Sequence, residues 1–314
     1  MARSTSSSVA ASGTAQHAVP GRSLALHILL SLRPAQWSKN LLVFAGLLFG
    51  RRLLNPAAVV DAVLAFAVFC GLSGVVYLVN DIADREADQR HPLKAQRPIA
   101  SGALSVSTGL AVALGLGAAC LAVAYVVGPG FVGVATGYLA LQILYSIVLK
   151  DIVIIDVLTI AIGFVLRAVG GAVAVQVEIS YWLLVCTILL ALFIALAKRR
   201  HEIVLLSASA ASHRAILGEY SPYLLDQMIG VVTASTLISY VFYTISPETQ
   251  AKFGTTWLGL TIPFPLYGIF RYLYLVHQRE GGGSPADLLL TDRPLLACVA
   301  LWALTVALII YRPV

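Results

Sequence analysis

The sequence predicts an all-α fold, a multi-pass transmembrane helical bundle of about nine spans. Three observations predict it. The 314 residues are 59% hydrophobic and only 11% charged, with a mean hydropathy of +0.88, whereas soluble domains carry about 25% charged residues. Apolar runs of about 20 residues recur along the chain, the length that crosses a hydrocarbon core about 30 Å thick. Charge is concentrated in the short stretches between those runs, and mostly in alternate ones.

Taken in order, residues 1–22 are a Ser/Ala/Gly-rich tail expected to be disordered. No apolar core of signal-peptide type precedes Pro20, so an uncleaved start is expected. Residues 23–314 read as a single membrane domain. Leu24–Leu32 is an apolar, interfacial piece, and the first span follows near Ala35–Leu54. The next four fall near Ala57–Val79, Leu104–Val127, Phe131–Leu149 and Ile152–Val175, the last two joined very tightly. Four more fall near Tyr181–Ala197, Leu224–Ile245, Trp257–Val276 and Leu295–Ile310. Pro263 and Pro265 are expected to kink the eighth, a distortion that neighbouring helices tolerate in a membrane.

Orientation follows from the Lys/Arg bias of the loops. Sixteen of the 21 Lys and Arg fall on the N-terminal side and its matching loops; only Arg51, Arg52, Lys252 and Arg312 fall on the other. The expected localisation is the plasma membrane, with the N-terminus and charged loops cytoplasmic and the C-terminus outside. Arg167 alone lies deep within a span. Cys70, Cys120, Cys186 and Cys298 all lie in apolar runs without metal-ligand spacing, so no disulfides are expected.

The chemistry gathers in Tyr77–Gly102, YLVNDIADREADQRHPLKAQRPIASG. Asn80–Arg97 alone holds four acids, four Arg/Lys and a His. On a continuous helix Asn80, Asp84 and Asp88 are spaced i, i+4, i+8, and Asp81 joins their face at i+3 and i+7. Oxygen ligands alone suit a hard ion, Mg2+ first and Mn2+ as the substitute. Mg2+ usually takes one or two carboxylates plus substrate phosphates. The trailing Arg85, Arg90, Lys94 and Arg97 fit an anion, so the stretch suggests a site for a diphosphate or similar polyanion. The competing interpretation is a solvated loop with scattered charge.

Four further polar motifs fall on the same side. RPAQWSKN sets Arg33 and Lys39 around Trp37, which fits an aromatic-belt anchor with snorkelling cations as well as a substrate contact. YSIVLKDIVIID places Lys150 and Asp151 at a turn and Asp156 inside the fifth span. Arg167 lies about 16 Å further along that helix, too far for a direct pair, so each needs another partner. The active cavity would serve, and so would an ion pair with a neighbouring helix. KRRHE, Lys198–Glu202, ends the sixth span, where the helix terminus and the inside bias also favour cations; His213, Arg214 and Glu219 follow in a sizeable loop. DLLLTDRP, Asp287–Pro294, follows the Gly281–Gly283 hinge and reads equally as a lid or as the first turn of the last span.

NDIADREAD at Asn80–Asp88 resembles the NDxxDxxxD motif of the UbiA-type membrane transferase superfamily. RPAQWSKN, the HPLKAQRP continuation, YSIVLKD and AKRRHE resemble its decaprenyl-phosphate phosphoribosyltransferase branch. The resemblance runs from Arg33 onward. It implies a helical fold with a cavity open to the cytoplasm and to lipid. It also implies Mg2+-dependent transfer of 5-phosphoribose from phosphoribosyl pyrophosphate to a polyprenyl phosphate, a step towards cell-wall arabinan precursors. By position it makes Asn80, Asp84 and Asp88 metal ligands. Lys94, Arg97, Tyr145, Lys150, Lys198 and Arg199 become phosphate contacts, with Asp84, Asp88 and Lys150 the catalytic set. Arg33, Lys39, Asp81, Asp156 and Arg167 complete the expected substrate site. Asp151 and Asp156 are five apart where relatives often have DxxxD, which argues against a second metal on that pair. The expected partners are the two substrates and the membrane, with a homo-oligomer as the assembly to test.

Two other functions compete. A prenyltransferase of the same superfamily would share the acids but not the basic continuation after Asp88. A transporter would place its ionisable groups near the midplane on interrupted helices, whereas this charge gathers at one face. No P-loop, GxGxxG, CxxC or Ser/His/Asp pattern is present, the six His are scattered, and no basic-aromatic soluble face suits nucleic acid.

Overall fold

Prolines and small polar residues start the helices of this protein, and apolar runs extend them. The computed structural model describes residues 23–90, 94–206, 215–278, 288 and 291–311. The N-terminal tail, His91–Leu93, His213, Arg214, the Gly281–Gly283 hinge and Asp287 lie outside the described residues.

Helix α1 is Leu24–Ser31, the expected interfacial piece. A 3-10 segment, Pro34–Phe44, then runs into the short α2, Ala45–Phe49. The chain continues as α3 (Pro56–Ala83), α4 (Arg85–Gln89), α5 (Val106–Val127), α6 (Pro129–Ile147) and α7 (Ile155–Ala174). After α8 (Tyr181–Leu206) come α9 (Pro222–Ile245), α10 (Pro247–Phe253), α11 (Pro263–Gln278) and α12 (Arg293–Ile310). Helix starts follow ordinary capping chemistry. Asn55 accepts from the amides of Ala57 and Ala58 ahead of Pro56, and Ser105, Ser221 and Asp292 cap α5, α9 and α12 in the same way. Asp292 is thus a first-turn residue, and its carboxylate is 2.8 Å from Arg271.

Seven described helices are long and apolar enough to cross a membrane: α3, α5, α6, α7, α8, α9 and α12. They match seven of the nine expected spans, and α3 and α8 extend past their expected ends at Val79 and Ala197. The other two expected spans are not single continuous helices. The first is no continuous helix, because Gln36, Ser38, Lys39 and Asn40 break its apolar run and Arg33 enters it with a φ of 51°. The eighth is a 3-10 turn, Trp257–Thr261, followed by the 16-residue α11. Pro263 opens that helix instead of kinking it, because a proline at N1 gives up no helical hydrogen bond.

Helices α3 and α7 are the inner pair. Of their apolar stretches 61% and 56% are buried inside the protein, against 22–33% in the other five spans, whose remaining surface suits lipid. Small residues let the first segment press onto α7. A Cβ on Gly171 would lie 1.9 Å from the Val43 carbonyl oxygen, and one on Gly46 would lie 2.7 Å from the Ala172 Cα. Below this seam Phe69 packs edge-on against Phe131 and Tyr138, tying α3 to α6. The result brings the end of α3, the start of the 34–44 segment, the turn before α7 and the end of α8 to one end of the bundle. Ion pairs Arg33–Asp81, Lys150–Asp84 and Arg199–Asp156 join these pieces.

Candidate active site

Helix α3 stops at Ala83 and α4 begins at Arg85, so the acids do not stand on one continuous helix face as their spacing suggests. Asn80 and Asp81 lie on the last turn of α3, Asp84 caps it, and Asp88 lies on α4. The carboxylates are gathered by cations. Arg97 reaches Asp88 at 2.6 Å and Asp81 at 3.1 Å through the same nitrogen. Arg33 reaches Asp81 at 2.5 Å and lies over the Tyr77 ring, 4.6 Å from its centroid. Lys94 stands 4.0 Å from Asp88. Asp84 takes Lys150 at 3.2 Å and the Asn80 amide at 3.0 Å. Asp81 and Asp88 are buried, while the Asp84 side chain is 33% exposed and so open to a ligand. Three carboxylates meet four cations here, a surplus that suits an anion.

A second cluster sits beside the first. The α8 residue Arg199 is 3% exposed and donates to Asp156 at 2.9 Å and to Glu202 at 2.8 Å. Tyr145 lies 3.5 Å from the same guanidinium. Asp156 is fully buried, and its other oxygen accepts from the Tyr220 hydroxyl at 2.8 Å. That hydroxyl in turn accepts from the Ile154 amide at 2.7 Å. Ile154 holds a φ of 69°, unfavourable for a β-branched residue, so this bond fixes a strained turn. Burial pushes the Tyr220 hydroxyl up to about 12, so at neutral pH it keeps the proton it donates. The turn between α6 and α7 is therefore clamped twice, by Lys150 on Asp84 and by Ile154 on Tyr220. Tyr220→Phe is expected to lower stability by about 1.5–3 kcal/mol, the usual worth of a hydrogen bond to a charged group. Thermal unfolding of the purified protein measures this, and an unchanged midpoint would sink it.

The structure brings Arg33, Asn80, Asp81, Asp84, Asp88, Lys94, Arg97 and Lys150 into the first cluster, and Tyr145, Asp156 and Arg199 into the second. Lys198 sits on the outer side of the second, 3.6 Å from Glu202. Lys39 is half-buried within the 34–44 segment. Arg167 joins neither cluster. It donates to Asn40 at 2.6 Å and to the Tyr138 hydroxyl at 2.7 Å, bracing the first segment and α6 against α7. Sequence reasoning missed Tyr220 and Tyr138, and gave Asn40 no role beyond its place in the RPAQWSKN motif. Tyr138 lies inside an apolar run and Tyr220 in a loop, and neither position signals the charge it will meet.

Among the described residues, no three His, Cys, Asp or Glu side chains converge to hold a metal unaided. The donor set nevertheless fits a hard divalent ion that arrives with phosphate. Asn80, Asp84 and Asp88 offer oxygens only, and Mg2+ needs one or two carboxylates when a substrate supplies the rest.

Residues 40–282 match the UbiA prenyltransferase family. A protein of Corynebacterium glutamicum called decaprenyl-phosphate phosphoribosyltransferase is 32% identical, over 93% of this chain and 89% of its own. A Mycobacterium tuberculosis protein of the same name is 32% identical, over 91% of this chain and 95% of its own. In fold, a UbiA homolog from Archaeoglobus fulgidus solved with GPP and Mg2+ superposes with a TM-score of 0.71 at 20% identity, covering 90% of this chain and 99% of that one.

Proposed function

Because the chain belongs to the UbiA prenyltransferase family, we propose that this multi-pass membrane protein transfers 5-phosphoribose from phosphoribosyl pyrophosphate to a polyprenyl phosphate, releasing pyrophosphate. It is a pentosyltransferase in this reading, and its product serves cell-wall arabinan synthesis. Relatives bearing the corresponding name over nearly their whole length support it. The observation that carries the chemistry is the cation surplus at Asp81, Asp84 and Asp88. Two anionic substrates must meet there, and four cations face three carboxylates.

In this reading Asn80, Asp84 and Asp88 hold Mg2+, with Mn2+ as the substitute. When bound there, such an ion would supply neutralisation of the charge developing on the departing pyrophosphate. Lys150 and Arg97, now on the carboxylates, turn to the pyrophosphate as it binds and free the acids. Arg199 lies close to Tyr145 and is fixed by Asp156, which suits a phosphate held at the second cluster. The attacking oxygen belongs to a lipid phosphate that is already anionic at neutral pH. The protein must therefore position that oxygen and has no proton to remove from it. The positive end of the bundle faces the cytoplasm, where the soluble donor is made.

This exchange of partners has a thermodynamic signature. Without diphosphate, a metal ion must displace Lys150 from Asp84 and Arg97 from Asp88; with it, those cations have other partners. Metal affinity is expected to rise by about tenfold or more when pyrophosphate is present, and pyrophosphate affinity by the same factor when metal is present. Mn2+ titration followed by electron paramagnetic resonance reads this directly. Equal affinity with and without pyrophosphate would contradict the exchange.

The second reading is prenyl transfer to an aromatic acceptor, favoured by the family as a whole. The deciding assay offers purified protein Mg2+, a polyprenyl phosphate and labelled phosphoribosyl pyrophosphate, against labelled prenyl diphosphate with an aromatic acceptor. Ribosyl label entering the lipid fraction is the expected result. Label moving only from the prenyl donor would overturn the substrate and leave the fold and metal ligands standing.

A further inference from the structure

A pocket of about 360 Å3 lies between α1 and the stretch after α4, lined by His27, Leu30, Gln96, Arg97, Ser101 and Ala103 among others. The mechanism above makes no use of it, yet it shares Arg97 with the acid cluster. The Arg97 side chain is 25% exposed, and the pocket lining holds no carboxylate. An anion there would find Arg97 and polar side chains with no carboxylate in the lining itself, while Asp81 and Asp88 hold Arg97 from the other side. The wall from α1 has the opposite quality. Ile28 turns inward against the cluster of Val75, Leu78, Ile99 and Leu104. Leu24, Leu26, Leu29 and Leu30 face outward, 38–56% exposed, on a helix without a charged residue. Such a face belongs in hydrocarbon at a membrane surface. A soluble sugar phosphate has no use for a leucine-edged mouth. A molecule with phosphate at one end and hydrocarbon at the other fits both walls.

We propose that this pocket receives the phosphate of the polyprenyl phosphate acceptor, with Arg97 as its cation, His27 and Gln96 flanking it, and the isoprenoid chain lying along the leucines of α1. The assignment rests on the phosphoribosyl-transfer reading and adds to it which cation meets the lipid. Arg97, released from the acids, would then stand between the two substrates, with the pyrophosphate on one side and the acceptor phosphate on the other. That position gives a route by which the acceptor phosphate is placed next to the donor.

The test fills the pocket without touching the acids. Ala103 is exposed, so Ala103→Trp adds bulk at the mouth with little effect on folding. Direct binding of farnesyl phosphate, and separately of phosphoribosyl pyrophosphate with Mg2+, is measured by calorimetry on the full chain in detergent. Ala103→Trp is expected to weaken farnesyl phosphate binding by about tenfold or more and to leave donor binding unchanged. His27→Ala is expected to weaken the lipid phosphate by a few fold only. Unchanged farnesyl phosphate binding in Ala103→Trp overturns the proposal. Loss of donor binding in that variant also overturns it, since the pocket would then belong to the donor. If phosphatidylglycerol competes with farnesyl phosphate equally, the pocket takes any lipid phosphate and the acceptor assignment is wrong. Binding judges the pocket, whereas ribosyl transfer by the wild type judges the function, so the two can fail separately.

Discussion

Asp84→Ala is expected to lower transfer by at least about a thousandfold, which corresponds to about 4 kcal/mol of transition-state stabilisation. The folded protein should survive the change. Asp84 is one-third exposed, its partner Lys150 is 24% exposed, and both can be hydrated when separated. A single metal-ligand carboxylate therefore carries a large kinetic effect and a small structural one. The check is transfer activity together with the unfolding midpoint of the purified variant. Activity within tenfold of wild type would remove Asp84 from the metal set.

Asp156→Ala is expected to do the reverse. Asp156 is fully buried, and Arg199 beside it is 3% exposed. Removing one member of a buried pair leaves a charge without its counter-ion, at a cost of about 3–5 kcal/mol. Glu202 still reaches Arg199 at 2.8 Å, which places the expected loss at the lower end, about 3 kcal/mol. Tyr220 would also lose the acceptor for its proton. The variant should give less folded protein in the membrane and a lower unfolding midpoint, and material that does fold should still bind Mn2+ with pyrophosphate. Wild-type stability for Asp156→Ala would show that the pair is not structural. Both aspartates lie near a helix end, and their burial separates them.

Much of the architecture is legible in the sequence because a membrane span has a fixed length and a narrow composition. The Leu104–Val127 and Leu295–Ile310 runs became α5 and α12 almost end for end. Where polar residues entered a run, legibility failed. Gln36, Ser38, Lys39 and Asn40 could have signalled that the first run is not a plain helix, and apolar content alone hides that. The metal-site acids were legible as a group, since a dense run of acids has few structural uses beside a lipid phase. Their geometry was legible in part: the helix breaks at Asp84, yet Asp81 and Asp88 still meet at one Arg97 nitrogen. For Arg167 and Asp156 the need for a distant partner was legible, but which residues would meet them was not. Arg167 meets Asn40 across 127 positions, and Asp156 meets Tyr220 across 64. Periodicity reports which face a residue occupies, and it is silent on what that face will touch.

The seam between the 34–49 segment and α7 has a consequence for how the protein is made. The segment is largely 3-10, carries several polar side chains, and keeps its place through Gly46, Gly171 and the Asn40–Arg167 bond. Each of those partners on α7 emerges from the ribosome more than a hundred residues after the segment itself. Until then its loosely bonded backbone has no packed surface to shield it from hydrocarbon. The segment must wait at the membrane surface or inside the insertion machinery while α3 to α6 enter the bilayer. Its final burial is therefore a late step of biogenesis, and protease protection of ribosome-stalled chains should show it appearing only once α7 has emerged.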